Sequence, residues 1–266
     1  MRVRLALLLV LLITGCSSKE DQANRWTALI MARVMEAYAP VSRVKSFLEQ
    51  RDFADQDEFQ QLAGGFSASS PVTVLSWAPL VKQEERGDKV IVQPGADNQL
   101  IPMGEHPDYL PVLYQARSDG EPLTLGFDLQ ALPDRKAVID DARFNKQPIE
   151  IQPPKRAFHA SATPNYSILW PVYRNGAFIG VVAGLVPADK MAAFVMRDTA
   201  RFKGSLAFFS RHGEDPAQDV PVMLWWDGKY QAAGGPLGPP PEGSVRVSRK
   251  FLLNGLEWLL VFDLPQ

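Results

Sequence analysis

The chain has 266 residues, 28 Lys and Arg against 30 Asp and Glu, a formal net charge of −2 and a single cysteine. No basic tract or stripe occurs, which argues against a nucleic-acid partner. One cysteine excludes a disulfide within the chain, so the fold must rest on its hydrophobic core, and the length is ample for one large core or two small ones.

Arg2 and Arg4 precede an unbroken apolar run, residues 5–13. That run is shorter than the ~20 residues a helix needs to cross a hydrocarbon core. A basic start, a short apolar stretch and small residues form a secretory signal. The site Leu12-Ile13-Thr14-Gly15-Cys16 contains the only cysteine and resembles the bacterial lipobox. The resemblance implies a signal peptide over residues 1–15, cleavage before Cys16 and lipidation of its sulfur. Two or three acyl chains on one residue would anchor the protein stably. Ser17 stands where bacterial sorting prefers an acid for inner-membrane retention, so the expected location is the periplasmic face of the outer membrane. Cleavage removes two arginines, leaving 26 basic against 30 acidic residues and a net charge of −4. No later stretch approaches 18 uninterrupted apolar residues, so no membrane span is expected.

Residues 20–49 have helical texture: Trp26, Ile30, Val34, Tyr38, Val41, Val44 and Leu48 recur at steps of three and four, which makes one apolar stripe. Pro40 should kink this helix or split it near Tyr38. A second short helix is expected over residues 55–62, stopped by Gly64-Gly65. Together, residues 16–65 read as a stalk that packs on the rest of the chain or on a second copy of itself.

Residues 72–77 read as a buried strand and 89–93 as a short one, with a polar loop over 94–107. Two apolar runs, 110–115 and 123–127, flank the turn Ser118-Asp119-Gly120-Glu121-Pro122 and should pair antiparallel. The second run ends in Asp128, a carboxylate that costs several kcal/mol to bury unless it is hydrogen-bonded. Its partner is either a ligand or the protein's own backbone, with Asp128 capping a helix that begins near Leu132. That helix covers residues 133–144, with acids and bases on one face and Leu132, Val138, Ile139 and Ala142 on the other. A strand over 148–152 follows. Asn175-Gly176 joins the strands 167–173 and 177–186 in the clearest hairpin of the sequence. Residues 188–202 should be a helix with Met191, Phe194 and Val195 inward. The remainder reads as strands over 206–209, 223–226, 230–233, 245–253 and 256–262, with turns at Asp227-Gly228 and Asn254-Gly255. Hairpins interrupted by a few helices indicate an α+β protein.

The segments SWAPLVKQEER, DYLPVLYQA, LGFDLQALPDRKAVIDDAR, PIEIQPP, YSILWPVYRNGAFIGVVAGLV and LNGLEWLLVF occur in this order. In that order they resemble the CHASE domain, an extracytoplasmic sensor module of histidine kinases and cyclases. The resemblance covers residues 43–263 and includes Phe59. It implies a long N-terminal helix followed by two PAS-like antiparallel sheets with flanking helices, here over residues 66–186 and 187–266. It also implies small-ligand binding in the first sheet. In plant receptors of the family, the acid of an FDL-like segment hydrogen-bonds an adenine-type cytokinin, and that position matches Asp128. The strand over 148–152 matches part of the apolar wall. Ile149 and Ile151 are therefore candidate ligand contacts, and Glu150 either faces solvent on the alternate side or faces the cavity, where it would suit a cationic ligand rather than a cytokinin. Tyr114 and Trp170 complete the candidate set. Glu150 is a charge where the family has an apolar or small residue, so the ligand class does not carry over.

The family module sits between two membrane spans and drives a cytoplasmic output. Here a lipid anchor stands in place of the first span and the sequence ends just past the last strand. The expectation is therefore a lipid-anchored sensor that binds a small ligand of unknown class and acts through an envelope receptor or sensor partner. A homodimer through the stalk helix is a further expectation, because related receptors pair through theirs. No cofactor is expected. The rival class is an enzyme. His106, His159 and His212 lie far apart without metal-ligand spacing, Ser161 lacks a nucleophile-elbow pattern, and residues 212–215 lack the alternating oxygens of a calcium loop, so no catalytic site is expected. The alternative is a structural or assembly lipoprotein whose cavity is filled by Tyr114, Phe127, Leu169 and Trp170.

Overall fold

The computed structural model describes residues 18–53, 55–65, 69–96, 99–131, 133–146, 149–151, 165–197, 202–210, 223–226, 228–231, 236–253 and 256–266. The signal segment with Cys16, His159, Ser161, residues 212–215 and the turn at Asn254-Gly255 lie outside these residues.

Helix α1 (Lys19–Leu48) opens with a reciprocal cap. The Asp21 amide donates to the Ser18 hydroxyl at 3.1 Å, and the Ser18 amide donates to the Asp21 carboxylate at 3.2 Å, which satisfies two otherwise orphaned donors. Its stripe of Ile30, Val34, Tyr38, Val41, Val44 and Leu48 is buried as the spacing requires. Pro40 does not split it. A proline inside a helix costs about 3 kcal/mol, whereas burying side chains such as Tyr38, Val41 and Val44 around it returns about 1.5–3 kcal/mol each. The Ser70 hydroxyl also donates to the Ala37 carbonyl at 2.7 Å, in the turn the proline disturbs. At the other end, the Arg174 guanidinium donates to the Leu48 carbonyl at 2.6 and 3.1 Å and pairs with Asp52. Helix α2 (Gln56–Gly64) is capped by Asp55, which accepts from the Glu58 amide at 2.8 Å, and stops at the expected glycines.

The strands that follow are β1 (Val74–Pro79), β2 (Val81–Lys82), β3 (Val92–Pro94), β4 (Leu100–Pro102), β5 (Asp108–Tyr109) and β6 (Tyr114–Arg117). After helix α3 (Pro133–Asn145) come β7 (Ile149–Ile151), β8 (Asn165–Arg174) and β9 (Ala177–Pro187). Five of them form one antiparallel sheet in the order β6-β1-β9-β8-β7. The β8–β9 turn holds Asn175 at φ 51° and Gly176 at φ 80°, the left-handed pair that tight hairpins favour. Two small pairs, β2–β5 and β3–β4, lie within residues 81–109. The polar segment read as a loop over 94–107 therefore contains a strand of its own. The run 123–127 does not form a regular strand. Its end pairs instead through isolated bridges, Val92 with Phe127 and Pro111 with Asp128.

Strand alternation gives this sheet two distinct faces. One cross-strand row is Trp170–Val182–Trp77–Tyr114, and the adjacent row is Leu169–Ala183–Ser76–Gln115. Helices α1 and α2 cover the first face. Gly184 leaves room there for Val41, whose Cγ2 would lie 2.7 Å from an added Cβ, and Tyr114 packs on Phe53 and Phe59 at ring distances of 6.1 and 5.9 Å. The second face carries an apolar cluster of Ala78, Leu110, Val112, Phe127, Leu129, Ile139, Leu169 and Val181. Ile139 brings α3 into it.

Helix α4 (Ala188–Met196) buries Met191 and Val195 but ends six residues before the expected limit, with Phe194 half-buried beneath the Arg197 guanidinium. The last strands, β10 (Ser205–Ser210), β11 (Met223–Trp226), β12 (Lys229–Gln231), β13 (Ser244–Leu253) and β14 (Leu256–Pro265), form a second five-stranded sheet in the order β12-β11-β10-β14-β13. Within it Arg246 grips Asp263 through two hydrogen bonds of 2.7 and 2.8 Å. The chain divides into two compact units. The larger contains residues 33–197 and the first sheet, and the smaller contains residues up to 32 together with 198–251 and 257–266. The α+β fold with a long N-terminal helix and two PAS-like sheets is thus present as expected.

Candidate ligand-binding site

Asp128 is held by a segment laced to its neighbours on both sides. Gly126 accepts from the Val92 amide at 2.9 Å, the Asp128 amide donates to the Val92 carbonyl at 2.9 Å, and the Leu129 amide donates to the Leu110 carbonyl at 3.0 Å. Gly126 has φ 80°, and a Cβ there would stand 2.5 Å from the Val90 carbonyl oxygen. Only glycine allows the two backbones to approach so closely.

The carboxylate that this segment presents is 0% exposed. Its Oδ1 accepts from the Leu110 amide at 3.0 Å and the Gln130 amide at 2.9 Å. Both of these donors lie outside α3. Oδ2 is buried and, among the described residues, has no hydrogen-bond partner. Burial pushes the pKa above the ordinary carboxylate value, against the two backbone hydrogen bonds and the nearby His106, with Asp108 adding to the rise. Chemically this is an acid with one oxygen committed to the fold and the other open to a donor. An N–H or N⁺–H group delivered to it would meet a strong acceptor in a place where water does not compete.

The structure connects the surroundings of Asp128 to the strand of Ile149 and Ile151. Phe127 and Leu129, which flank Asp128, pack in the same cluster as Leu169, and β7 pairs Ile149 with Leu169 and Ile151 with Ser167. It does not bring Tyr114 and Trp170 to that cluster. Both belong to the row on the α1 and α2 face, where the Trp170 indole N–H is buried without a partner among the described residues. On the Asp128 side, Gln115 occupies the position across from Ser76. Its amide donates to the Ser76 and Thr124 hydroxyls at 3.0 Å each and accepts from the Thr124 amide at 2.9 Å, so that polar group is satisfied within the protein.

Arg135 stands four residues before Ile139 on α3, a basic residue on the apolar stripe of that helix. Among the described residues, no group of three His, Cys, Asp or Glu side chains is placed to hold a metal ion.

The sequence model of the CHASE domain matches residues 52–220. No curated protein matches the chain. Among solved structures, the chain is similar to the ligand-binding domain of the Pseudomonas aeruginosa PAO1 amino acid chemoreceptor PctB in complex with L-Gln. The identity is 12%, the alignment covers 92% of this chain and 90% of that one, and the TM-score is 0.50. The ligand-binding domain of the chemoreceptor PctC from the same organism, in complex with GABA, is 13% identical over 91% of this chain and 95% of that one, with a TM-score of 0.49. The periplasmic sensory domain of the Campylobacter jejuni chemoreceptor Tlp1 is 10% identical over 93% and 92%, with a TM-score of 0.48. At these identities the likeness is one of fold.

Proposed function

Because the chain belongs to the CHASE domain family, an extracytoplasmic sensory ligand-binding module, we propose that it takes a small molecule on the Asp128 side of its first PAS-like sheet. The observation that carries this reading is Oδ2 of Asp128, fully buried and without a hydrogen-bond partner among the described residues. Leaving such an atom unmet is costly, and a ligand N–H donor removes that cost. The role is binding rather than catalysis.

The anchoring half of the proposal rests on the lipobox ending in Cys16. Acyl chains on Cys16 hold the protein to one leaflet of the bacterial envelope, facing the periplasm, with Ser17 favouring the outer membrane. Such chains insert in a single leaflet and carry no conformational change across the bilayer, so a partner protein in the envelope reads the liganded state. A ligand shifts that readout only through different affinities for two states.

A thermal-shift screen of the full chain in detergent, against adenine derivatives, amines, amino acids and small acids, tests the ligand reading. A ligand at about 100 times its Kd adds about 2.7 kcal/mol, a rise of roughly 5–10 °C for a protein of this size. The expected result is a hit lost in Asp128→Asn. That variant keeps an oxygen for Leu110 and Gln130 but replaces the free acceptor. A cooperatively melting protein that no compound stabilises would instead favour the structural lipoprotein with a filled cavity.

A further inference from the structure

A second carboxylate stands beside Asp128. Asp108 opens β5, two residues before Leu110, whose amide donates to Asp128 Oδ1 at 3.0 Å. Gln130 ties the two acids together. Its amide donates to Asp128 Oδ1 at 2.9 Å, and its side-chain Nε2 lies 3.5 Å from Asp108 Oδ1. Burial works against ionisation of Asp128 and the nearby charge of Asp108 adds to that, whereas the two amides and His106 act the other way.

Asp108 is loosely held. Its 3.5 Å from Gln130 is longer than an ordinary N–H···O bond. Its ion pair with Arg143 also spans 3.5 Å, between side chains 30% and 43% exposed, where such a pair is worth little. Lys136, the other cation near Gln130, pairs with Asp140 at 3.0 Å and lies 3.3 Å from the Gln130 side-chain oxygen. Two neighbouring acids would not by themselves make a site. Here, however, Asp128 is 0% exposed and its Oδ2 has no hydrogen-bond partner among the described residues. An acceptor already stripped of water thus stands next to a charge of its own sign.

We propose that Asp108 is a second specificity-determining residue of this site and that the group the ligand brings to Asp128 is a cation, a protonated amine. This rests on the ligand-binding reading above and narrows it. An uncharged N–H donor meets Oδ2 but leaves a buried negative charge beside that of Asp108. An ammonium meets Oδ2 in a charge-assisted hydrogen bond and offsets the repulsion between the two acids as well. A guanidinium fits less well, because its fork seeks two carboxylate oxygens and Oδ1 is already taken by two amides.

The test uses the full chain in detergent with aliphatic and aromatic amines, amino acids, the N-acetyl derivative of each, adenine derivatives and small acids. Compounds that raise Tm are then titrated calorimetrically. The expected result is that every stabilising compound carries a protonated amine. Its N-acetyl derivative, which keeps an N–H and loses the charge, does not bind. Asp128→Asn then weakens amine binding by about 30-fold or more. Asp108→Asn, which keeps an acceptor for Gln130 and loses the charge, weakens it by about 3- to 10-fold. Without ligand, Asp108→Asn melts within about 4 °C of wild type, so the lost affinity is not a lost fold. Uncharged hits that disappear in Asp128→Asn overturn the cation and leave the Asp128 reading standing. Amine binding unchanged in Asp108→Asn overturns the role of Asp108, and so does an unliganded variant that melts well below wild type. No hit of any class overturns both readings.

Discussion

Two substitutions of Asp128 separate what the fold needs from what a ligand would need. Asp128→Ala strands the amides of Leu110 and Gln130, which now donate to Oδ1. Leu110 is 1% exposed and Gln130 only partly covered. At about 1–3 kcal/mol for each buried donor left unmet, the loss should be roughly 2–4 kcal/mol. For a protein of this size that lowers Tm by roughly 5–15 °C. Asp128→Asn keeps an oxygen for both donors, removes the charge and puts an amide NH2 in place of Oδ2.

The sign of its effect follows from the raised pKa. Between the unfolded value of about 3.9 and the higher folded value, the native state binds more protons than the unfolded one. Stability contributed by this group is therefore complete below about pH 4 and is lost as pH rises through the folded pKa. At pH 7 the wild type carries a buried, half-satisfied carboxylate that the Asn variant lacks. Asp128→Asn should then melt at or above wild type at pH 7, with the gap closing as pH falls toward 4. Thermal melts of the three proteins followed by circular dichroism between pH 4 and pH 8 measure this. An Asn variant that loses as much as the Ala variant at pH 7, or a gap that ignores pH, would refute the reasoning.

Gly184→Ala should cost about 1–3 kcal/mol through overpacking, since the added Cβ would sit 2.7 Å from Val41 Cγ2 and 3.3 Å from Ile168. A urea midpoint equal to wild type would mean that α1 yields freely at this point. Cys16→Ser should move the protein from the membrane pellet into the soluble envelope extract, and a variant that stays with the membrane would refute the lipid anchor.

The parts of the fold legible in the sequence were those with a local cause. Asn175-Gly176 supplies two left-handed residues, so the β8–β9 hairpin could be placed nearly to the residue. The spacing of Ile30, Val34, Val41 and Leu48 marked α1 within a residue of its ends. Its continuity through Pro40 depends on packing and on Ser70, a residue 30 positions away in sequence, which no local pattern records. The run 123–127 has the composition of a strand, but its backbone bonds to Val112 and Val92 in an irregular loop, and β4 hides in a segment too polar to suggest one.

Asp128 was legible as a candidate because a lone acid ending an apolar run is a local anomaly. Which face Tyr114 and Trp170 take was not. Both faces of this sheet are buried, so alternation of apolar and polar residues is lost, and only the register of β6, β1, β9 and β8 decides. The position of Arg135 was not legible either, because the charges of α3 read as one wet face and its distance of four from Ile139 places it on the other.

The central claim is that Asp128 accepts a hydrogen bond from a small ligand. Its most direct test is mass spectrometry of the small molecules released on denaturing the protein purified from cell envelopes, comparing wild type with Asp128→Asn. The account predicts a compound with an N–H donor that is enriched in wild type and absent from the variant, with both proteins equally folded. The same compounds at the same levels from both, or none from either, would contradict it.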